Sequence, residues 1–123
     1  MSANPNNTFL AIFLGNKNSP KMIAWNALPE KEQKAKMQEG LAAWHAWVEK
    51  HKSAIVGMGG PLGKTKQITP EGIRDVTNNL SGYMVLRADS HEAAAKMLEN
   101  HPHFTVFPGE AAEVMPVLPV PTA

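Results

Sequence analysis

Two apolar, β-rich runs, each leading into an amphipathic helix pattern, constrain the fold of this chain more than any other feature. TFLAIFLG, Thr8–Gly15, is continuously apolar and is typical of a strand buried on both faces of a sheet. GYMVLRA, Gly82–Ala88, predicts a further buried strand. Strands of this kind need helices to cover them. A chain of 123 residues is enough for a single core, so we expect one domain across all of it.

Helical periodicity marks the two covering helices. Between Leu28 and Lys52 the apolar residues of one stripe recur at i, i+4, i+7 and i+11, and they are Met37, Leu41, Trp44 and Val48. His45 and Trp47 fall on opposite shoulders of this stripe. Ser90 is placed as the N-cap of the second helix, and Pro102 is expected to end it.

Three shorter patterns complete the predicted topology. AIVGMGG predicts a second strand, KTKQIT and IRDVT predict a hairpin that turns at Pro70–Gly72, and EAAEVMPVL predicts the last strand. This order favours an α+β fold with both helices on one face of a mainly antiparallel sheet, a ferredoxin-like βαββαβ sandwich with an extra hairpin. The other face of the sheet then lacks a helix, so we expect a homodimer that covers it sheet to sheet.

The segment GMGGPLGKTK, Gly57–Lys66, looks at first like a loop that binds nucleotide phosphates. Such a loop needs a glycine, four residues and then Gly-Lys-Ser/Thr. Counting back from Gly63, that first glycine would stand where the chain has Met58, and Pro61 removes an amide donor from the middle of the loop. The residues that follow are β-rich rather than helical. We therefore interpret these glycines as residues that bend a strand or form a bulge.

Composition argues against several classes of function. Twelve Lys plus Arg against eleven Asp plus Glu leave a formal net charge of +1, which favours neither nucleic acid nor an anionic membrane as a partner. No apolar run is long enough to span a bilayer. The chain has no cysteine, and its first residues, MSANPNNTF, lack the pattern of a signal peptide, so we expect a cytoplasmic protein.

His45 is the first candidate for a catalytic residue. It stands between two tryptophans in AWHAW, where an imidazole is able to act as a general base in a cleft beside aromatic rings. Trp44 is the ligand-binding candidate of this segment, because its ring is able to stack on a planar substrate. The simpler interpretation of His45 is an ordinary residue on the shoulder of an amphipathic helix.

The hairpin and the end of the second helix supply the other candidates. Asp75 lies on an otherwise apolar strand in IRDV and is able to orient an imidazole, although a surface role also explains it. Lys64 and Lys66 alternate to one strand face and together suit an anionic group, while lysines that guard an edge strand are an equally good explanation. His103 in HPHF is the third acid–base candidate. A metal site is not expected there, because further ligands at metal spacing are missing.

The C-terminal half of the chain resembles the YCII-related family. The resemblance is carried by SGYMVLRADSHEAAAKMLENHPHF followed by PGEAAEVMPV, and GGPLGKTKQIT resembles the middle of a subgroup of that family, so that the likeness covers about Phe9–Val117. It implies a single YCII-like domain over residues 1–123, with a flexible N-terminus at 1–7 and a Pro-rich tail at 118–123. It also implies a dimeric α/β barrel and an active-site pair of a helix histidine and a loop aspartate, to which His45 and Asp75 are the nearest matches.

These observations favour a small YCII-like homodimer with a cleft that binds an anionic or aromatic metabolite, acts on it by acid–base chemistry and needs no cofactor. The alternative is a non-catalytic ligand-binding or accessory module. A filled, dry cleft would favour the module, and a pocket that contains a histidine of shifted pKa would favour the enzyme.

Overall fold

The computed structural model describes residues 7–122. In chain order the helices and strands are β1 (Thr8–Leu14), α1 (Pro20–Asn26), α2 (Glu30–His51), β2 (Ile55–Pro61), β3 (Thr65–Thr69), β4 (Gly72–Val76), β5 (Leu80–Arg87), α3 (His91–Met97), α4 (Pro102–Thr105) and β6 (Ala111–Pro116). A 3-10 turn, Lys52–Ala54, joins α2 to β2. The flexible segment expected at residues 1–7 lies outside the described residues except for Asn7, and residues 118–122 of the tail form neither helix nor strand.

Four strands form one antiparallel sheet in the order β2-β5-β1-β6. The two continuously apolar runs become the central strands β1 and β5, each of which has a paired neighbour on both edges. Continuously apolar strands are typical of such central positions. The hairpin β3–β4 forms a separate two-stranded sheet, as its turn residues predict. The α+β class and the antiparallel sheet predicted from the element order are therefore confirmed.

The core lies between one face of this sheet and the helices. From β1 the residues Phe9, Ala11 and Phe13 point into it, alternating with half-buried residues that point to the opposite face. Their cross-strand neighbours on β5, Met84 and Leu86, are also buried. Trp47 on α2 and Leu98, directly after α3, close the core. Both helices therefore cover the same face, and no helix among residues 7–122 covers the opposite face.

The helix α2 differs from its predicted orientation. Met37 and Leu41, predicted on the core stripe, are 43% and 48% exposed, whereas Trp47, predicted on a shoulder, is buried at 8%. The Trp47 indole Nε1 donates a hydrogen bond to the Met97 carbonyl at 3.0 Å, which satisfies its polar atom inside the core. The C-terminal half of α2 therefore makes the core contacts, while Met37 and Leu41 in the preceding turns remain exposed.

Within residues 7–122, no helix combines the length and the apolar character needed to cross a bilayer.

The helix caps are partly as predicted. Ser90 caps α3 as expected, since its hydroxyl accepts a hydrogen bond from the Ala93 amide at 3.0 Å. Ser19 caps α1 in the same way and accepts a hydrogen bond from the Met22 amide at 3.1 Å. The expectation that Pro102 ends the second long helix is wrong. Helix α3 ends at Met97, and Pro102 instead occupies the first turn of α4, where a missing backbone N–H costs nothing.

The glycines of β2 bend the strand, which confirms the interpretation of Gly57–Gly60 as a bulge. The pairing of β2 with β5 shifts register twice between Ile55 and Gly60. Gly59 has a φ of +61°, and a Cβ at this position would overlap the Tyr83 carbonyl oxygen. Lys64 is followed by the strand β3 rather than by a helix, so no helix N-terminus stands behind this loop to complete a phosphate site.

Candidate functional site

A cleft of about 1240 Å³ opens where three loops of the chain meet. The loops are those between β1 and α1, between β2 and β3, and between β4 and β5, and the lining residues are 15–18, 22, 62–66 and 75–81. Turn-forming residues supply most of this lining, because each loop reverses or redirects the chain. Its side chains are therefore mainly amides, hydroxyls and charged groups, and the apolar exceptions are Met22, Leu62, Val76 and Leu80.

Hydrogen bonds tie the three loops together. The Gly15 amide donates to the Asn79 carbonyl at 2.9 Å, and the Leu62 amide donates to the Ser81 carbonyl at 3.0 Å. The Ser81 hydroxyl reaches the Phe13 carbonyl at the end of β1, at 2.9 Å. These bonds join segments that are far apart in sequence, so the cleft is a property of the folded sheet edge rather than of any single loop.

The charged groups of the cleft leave an excess of positive charge. Lys66 and Asp75 form an ion pair at 2.7 Å across the hairpin, and both side chains are largely exposed, so this pair adds little to stability. Lys17 and Lys64 form no ion pair with any residue in the described part of the chain. Two ammonium groups therefore remain available to an anion that enters the cleft.

A second cluster of polar and aromatic groups lies in the core and not in the cleft. The imidazole of His101 is fully buried among the rings of Phe13, Trp44 and Trp47, at centroid distances of 4.9, 4.4 and 4.7 Å. Its Nδ1 accepts a hydrogen bond from the His103 amide at 3.0 Å, so the neutral ring carries its proton on Nε2. This Nε2 has no hydrogen-bond partner among residues 7–122.

Burial controls the protonation of this cluster. It lowers the pKa of His101 from 6.5 to about 4, and the neighbouring His103 and His51 act in the same direction. Burial also lowers the pKa of His103, against the effect of hydrogen bonds to the Leu14 and Ala111 carbonyls. Both rings are therefore neutral at pH 7. Within residues 7–122, no group of three or more His, Asp or Glu residues is placed to hold a metal ion.

His103 connects this cluster to the cleft. Its Nε2 lies 2.8 Å from the Leu14 carbonyl oxygen, at the end of β1 and one residue before the cleft-lining Gly15. The space for the ring is created by Gly109, where a Cβ would overlap the imidazole. His103 is thus placed to hold the edge of the cleft from behind, and it does not line the cleft itself.

The structure distributes the sequence-predicted site residues over three places. Lys64, Lys66 and Asp75 come together in the cleft. Trp44 and His103 belong to the buried cluster, and His45 is exposed on the outer side of α2. Within one chain the three acid–base candidates lie apart, because Asp75 lines the cleft, His103 lies behind it, and Trp44, Trp47 and Val48 occupy the sheet side of α2 and turn His45 outward. The catalytic roles of these residues stay predictions.

Two sets of residues in these sites were missed from the sequence. Asn16, Asn18, Asn78 and Asn79 line the cleft. The signal available for them is their grouping in NKN and TNN, immediately after β1 and before β5, since turn residues at strand ends lie at one sheet edge. The second set is His101, whose fully buried, unpaired nitrogen has no signature in the sequence.

Comparison with known proteins adds information on the fold. No family model matches this chain, and no curated protein matches it in sequence. A solved structure of 5-chloro-2-hydroxyhydroquinone dehydrochlorinase from Burkholderia phenoliruptrix, in complex with 2,5-dihydroxybenzoquinone, aligns over 88% of this chain and 90% of that one, with a TM-score of 0.51. The two chains share a fold. At 19% sequence identity the likeness concerns architecture alone, and it supports the mixed α+β arrangement described above.

Proposed function

We propose that this protein binds a small anionic or aromatic metabolite in the cleft between its three loops. The observation that carries the proposal is the pair of lysines, Lys17 and Lys64, that line a cleft of about 1240 Å³ without an ion-pair partner among the described residues. The asparagine amides around them supply further hydrogen-bond donors. A carboxylate or phosphate is the group that this set of donors recognises best.

Acid–base chemistry in this cleft would rest on Asp75 and Lys66. They are in contact at 2.7 Å and line the same wall. A carboxylate paired with an ammonium group is able to accept and return a proton near a bound anion. His45 and His103 lie elsewhere in the chain, which favours the second candidate function, a non-catalytic ligand-binding or accessory module. The two functions differ in whether the bound ligand is changed or only retained.

The proposal includes a ferredoxin-like, YCII-related fold that assembles as a homodimer in a dimeric α/β barrel. The strand order β2-β5-β1-β6 with helices on one face supports this arrangement. On the opposite face the side chains of Leu10, Ile12, Tyr83, Val85 and Met115 form a mainly apolar surface, called here the open face, which also carries Glu113 opposite Ile12. A second copy applied to this surface would remove it from water. The cytoplasmic location expected from the sequence belongs to the same proposal.

A thermal-shift screen tests the binding proposal. The panel contains small dicarboxylates, phosphate esters and hydroxylated aromatic acids, because a ligand that binds only the folded state raises the melting temperature by mass action. We expect at least one anion to stabilise the natural chain and the combined variant Lys17→Gln, Lys64→Gln to lose this effect. Each charge-assisted hydrogen bond lost is worth about 1.5–3 kcal/mol, or about tenfold or more in affinity.

The matched control is Lys36→Gln, which removes an exposed lysine from α2, away from the cleft. It should shift with the ligand as the natural chain does. An anion that stabilises the natural chain and the combined cleft variant equally would place binding outside the cleft and contradict the proposal. Incubation of a stabilising anion with the protein, followed by mass spectrometry, then separates the enzyme from the binding module, because only an enzyme changes the ligand.

A further inference from the structure

The hairpin formed by β3 and β4 projects from the body of the molecule. Its two strands pair with each other and make no extensive contact with another described helix or strand. An isolated two-stranded hairpin is marginally stable in water, and it normally needs a third element to pack against. All of β4 except Val76 is exposed, so no such element is supplied within the described chain.

The exposed side of this hairpin carries an apolar pair at its outer end. Ile68 and Ile73 lie directly opposite each other in the register, and they are 72% and 70% exposed. Lys66 and Asp75 are two residues further in along each strand and therefore point to the same side. Since Lys66 and Asp75 line the cleft, one continuous side of the hairpin runs from the cleft wall to the apolar pair.

We infer that this side of the hairpin packs on a second copy of the chain, so that the partner covers the isoleucine pair and closes the cleft. The inference rests on the proposed homodimer and extends it, because the binding site would be complete only between two subunits. In a two-fold assembly each β3–β4 hairpin, called here the arm, makes the same contact. The two arms and the two open faces then form one continuous interface. Obligate interfaces bury about 2,000 Å² or more in total, and the arms add apolar area beyond the sheet faces themselves.

Charge favours a second copy over other occupants. On the hairpin Lys66 and Arg74 are balanced by Glu71 and Asp75, and the whole chain carries a formal net charge of only +1. The hairpin itself therefore carries no net charge that would attract a nucleic acid, an anionic membrane or a strongly charged protein. The open face is instead mainly apolar and belongs to the same chain. At the hairpin base the exposed side chains of Leu62 and Leu80 add further apolar surface.

The absence of cysteine from the sequence allows a direct test. A single thiol is introduced by Ile73→Cys, and the matched control Ala46→Cys places one at an exposed position on the outer side of α2. Alkylation rates are measured with iodoacetamide in native buffer and normalised to the rates in urea, while light scattering reports the mass against the 13.4 kDa chain. We expect a dimer in which the thiol at position 73 reacts about tenfold or more slowly than the thiol at position 46.

The outcomes separate this inference from the homodimer proposal. Equal alkylation rates in a dimer would overturn the packing of the hairpin and leave the dimer in place, and they would point to a different occupant of the arm. A monomeric mass would overturn both, and a protected thiol in a monomer would assign the arm to its own chain.

A double variant supplies the second measurement. In Ile68→Ser, Ile73→Ser the dimer dissociation constant should rise about tenfold or more, and the melting shift produced by a cleft-binding anion should fall. The matched control Ile23→Ser removes another exposed isoleucine, on α1, and should leave both quantities unchanged. A double variant that dimerises and binds as the natural chain does would contradict the inference.

Discussion

Acidification should destabilise this protein through His101. The ring is fully buried and neutral in the folded state, where burial lowers its pKa from 6.5 to about 4. Between these two pH values the unfolded chain binds a proton that the folded chain does not, so the free energy of unfolding falls as pH falls. The full difference corresponds to about 3 kcal/mol, of which about 2 kcal/mol is lost between pH 7 and pH 5.

The neighbouring groups act in the same direction. Burial lowers the pKa of His103, whose positive charge would face His101 after protonation. His51, which packs against Trp47, also has its pKa lowered by burial and by Lys50. The aromatic rings of Phe13, Trp44 and Trp47 complete the surroundings of His101 and offer no carboxylate to an imidazolium. The total loss of stability should therefore exceed the contribution of His101 alone.

Urea denaturation followed by tryptophan fluorescence measures the effect, with protein concentration held constant between pH values. The variant His101→Asn keeps a cap acceptor for the His103 amide and removes the titrating ring. His101→Asn should be less stable than the natural chain at pH 7. Between pH 7 and pH 5 its free energy of unfolding should fall by about 2 kcal/mol less than that of the natural chain. The control His45→Asn removes an exposed histidine and should keep the natural slope. Equal pH dependence in the natural chain and in His101→Asn would refute the reasoning.

Three further predictions concern the glycines and the excluded nucleotide loop. Gly59→Ala should abolish or severely reduce folding, because its Cβ would overlap a backbone carbonyl at a positive φ. The control Gly60→Ala should fold, because no atom lies within 4 Å of the new Cβ. Circular dichroism of the two variants checks both expectations. Gly40→Ala should lower the melting temperature, because overlap with the Phe107 ring outweighs a gain in helix propensity of about 1 kcal/mol. Calorimetric titration of ATP or GTP with magnesium should show no saturable binding below about 1 mM, and a micromolar isotherm lost in Lys64→Ala would contradict the exclusion.

The sequence by itself determined the local elements and their class. The serine caps, the two central strands and the β3–β4 hairpin all follow from short-range rules, since a cap hydroxyl or a turn acts within a few residues of its own position. The prediction that Gly57–Gly60 bend a strand also follows from local spacing.

The side chains that meet across the core were decided by the tertiary structure. Helical periodicity places Met37 and Trp44 on one stripe, but the position of the sheet determines which part of α2 is buried, and the sheet covers the turns that contain Trp44 and Trp47. The same placement of the sheet against α2 leaves His45 on the outer side of the helix. His101 and His103 look alike in HPHF, yet one has an unpaired buried nitrogen and the other holds the end of β1.

The cleft shows the same division. Lys66 and Asp75 were predicted as candidates, because a hairpin is a local feature. Lys64 also lines the cleft, but the predicted alternation of Lys64 and Lys66 along one strand is wrong, since β3 begins at Thr65. The opposite wall, with Asn16 and Lys17, was not predicted, since it reaches the hairpin only after β1 and β5 have paired. The pairing of strands about seventy residues apart depends on the burial of apolar area over the whole sheet. A local sequence pattern therefore does not predict which distant loops become neighbours in the folded chain.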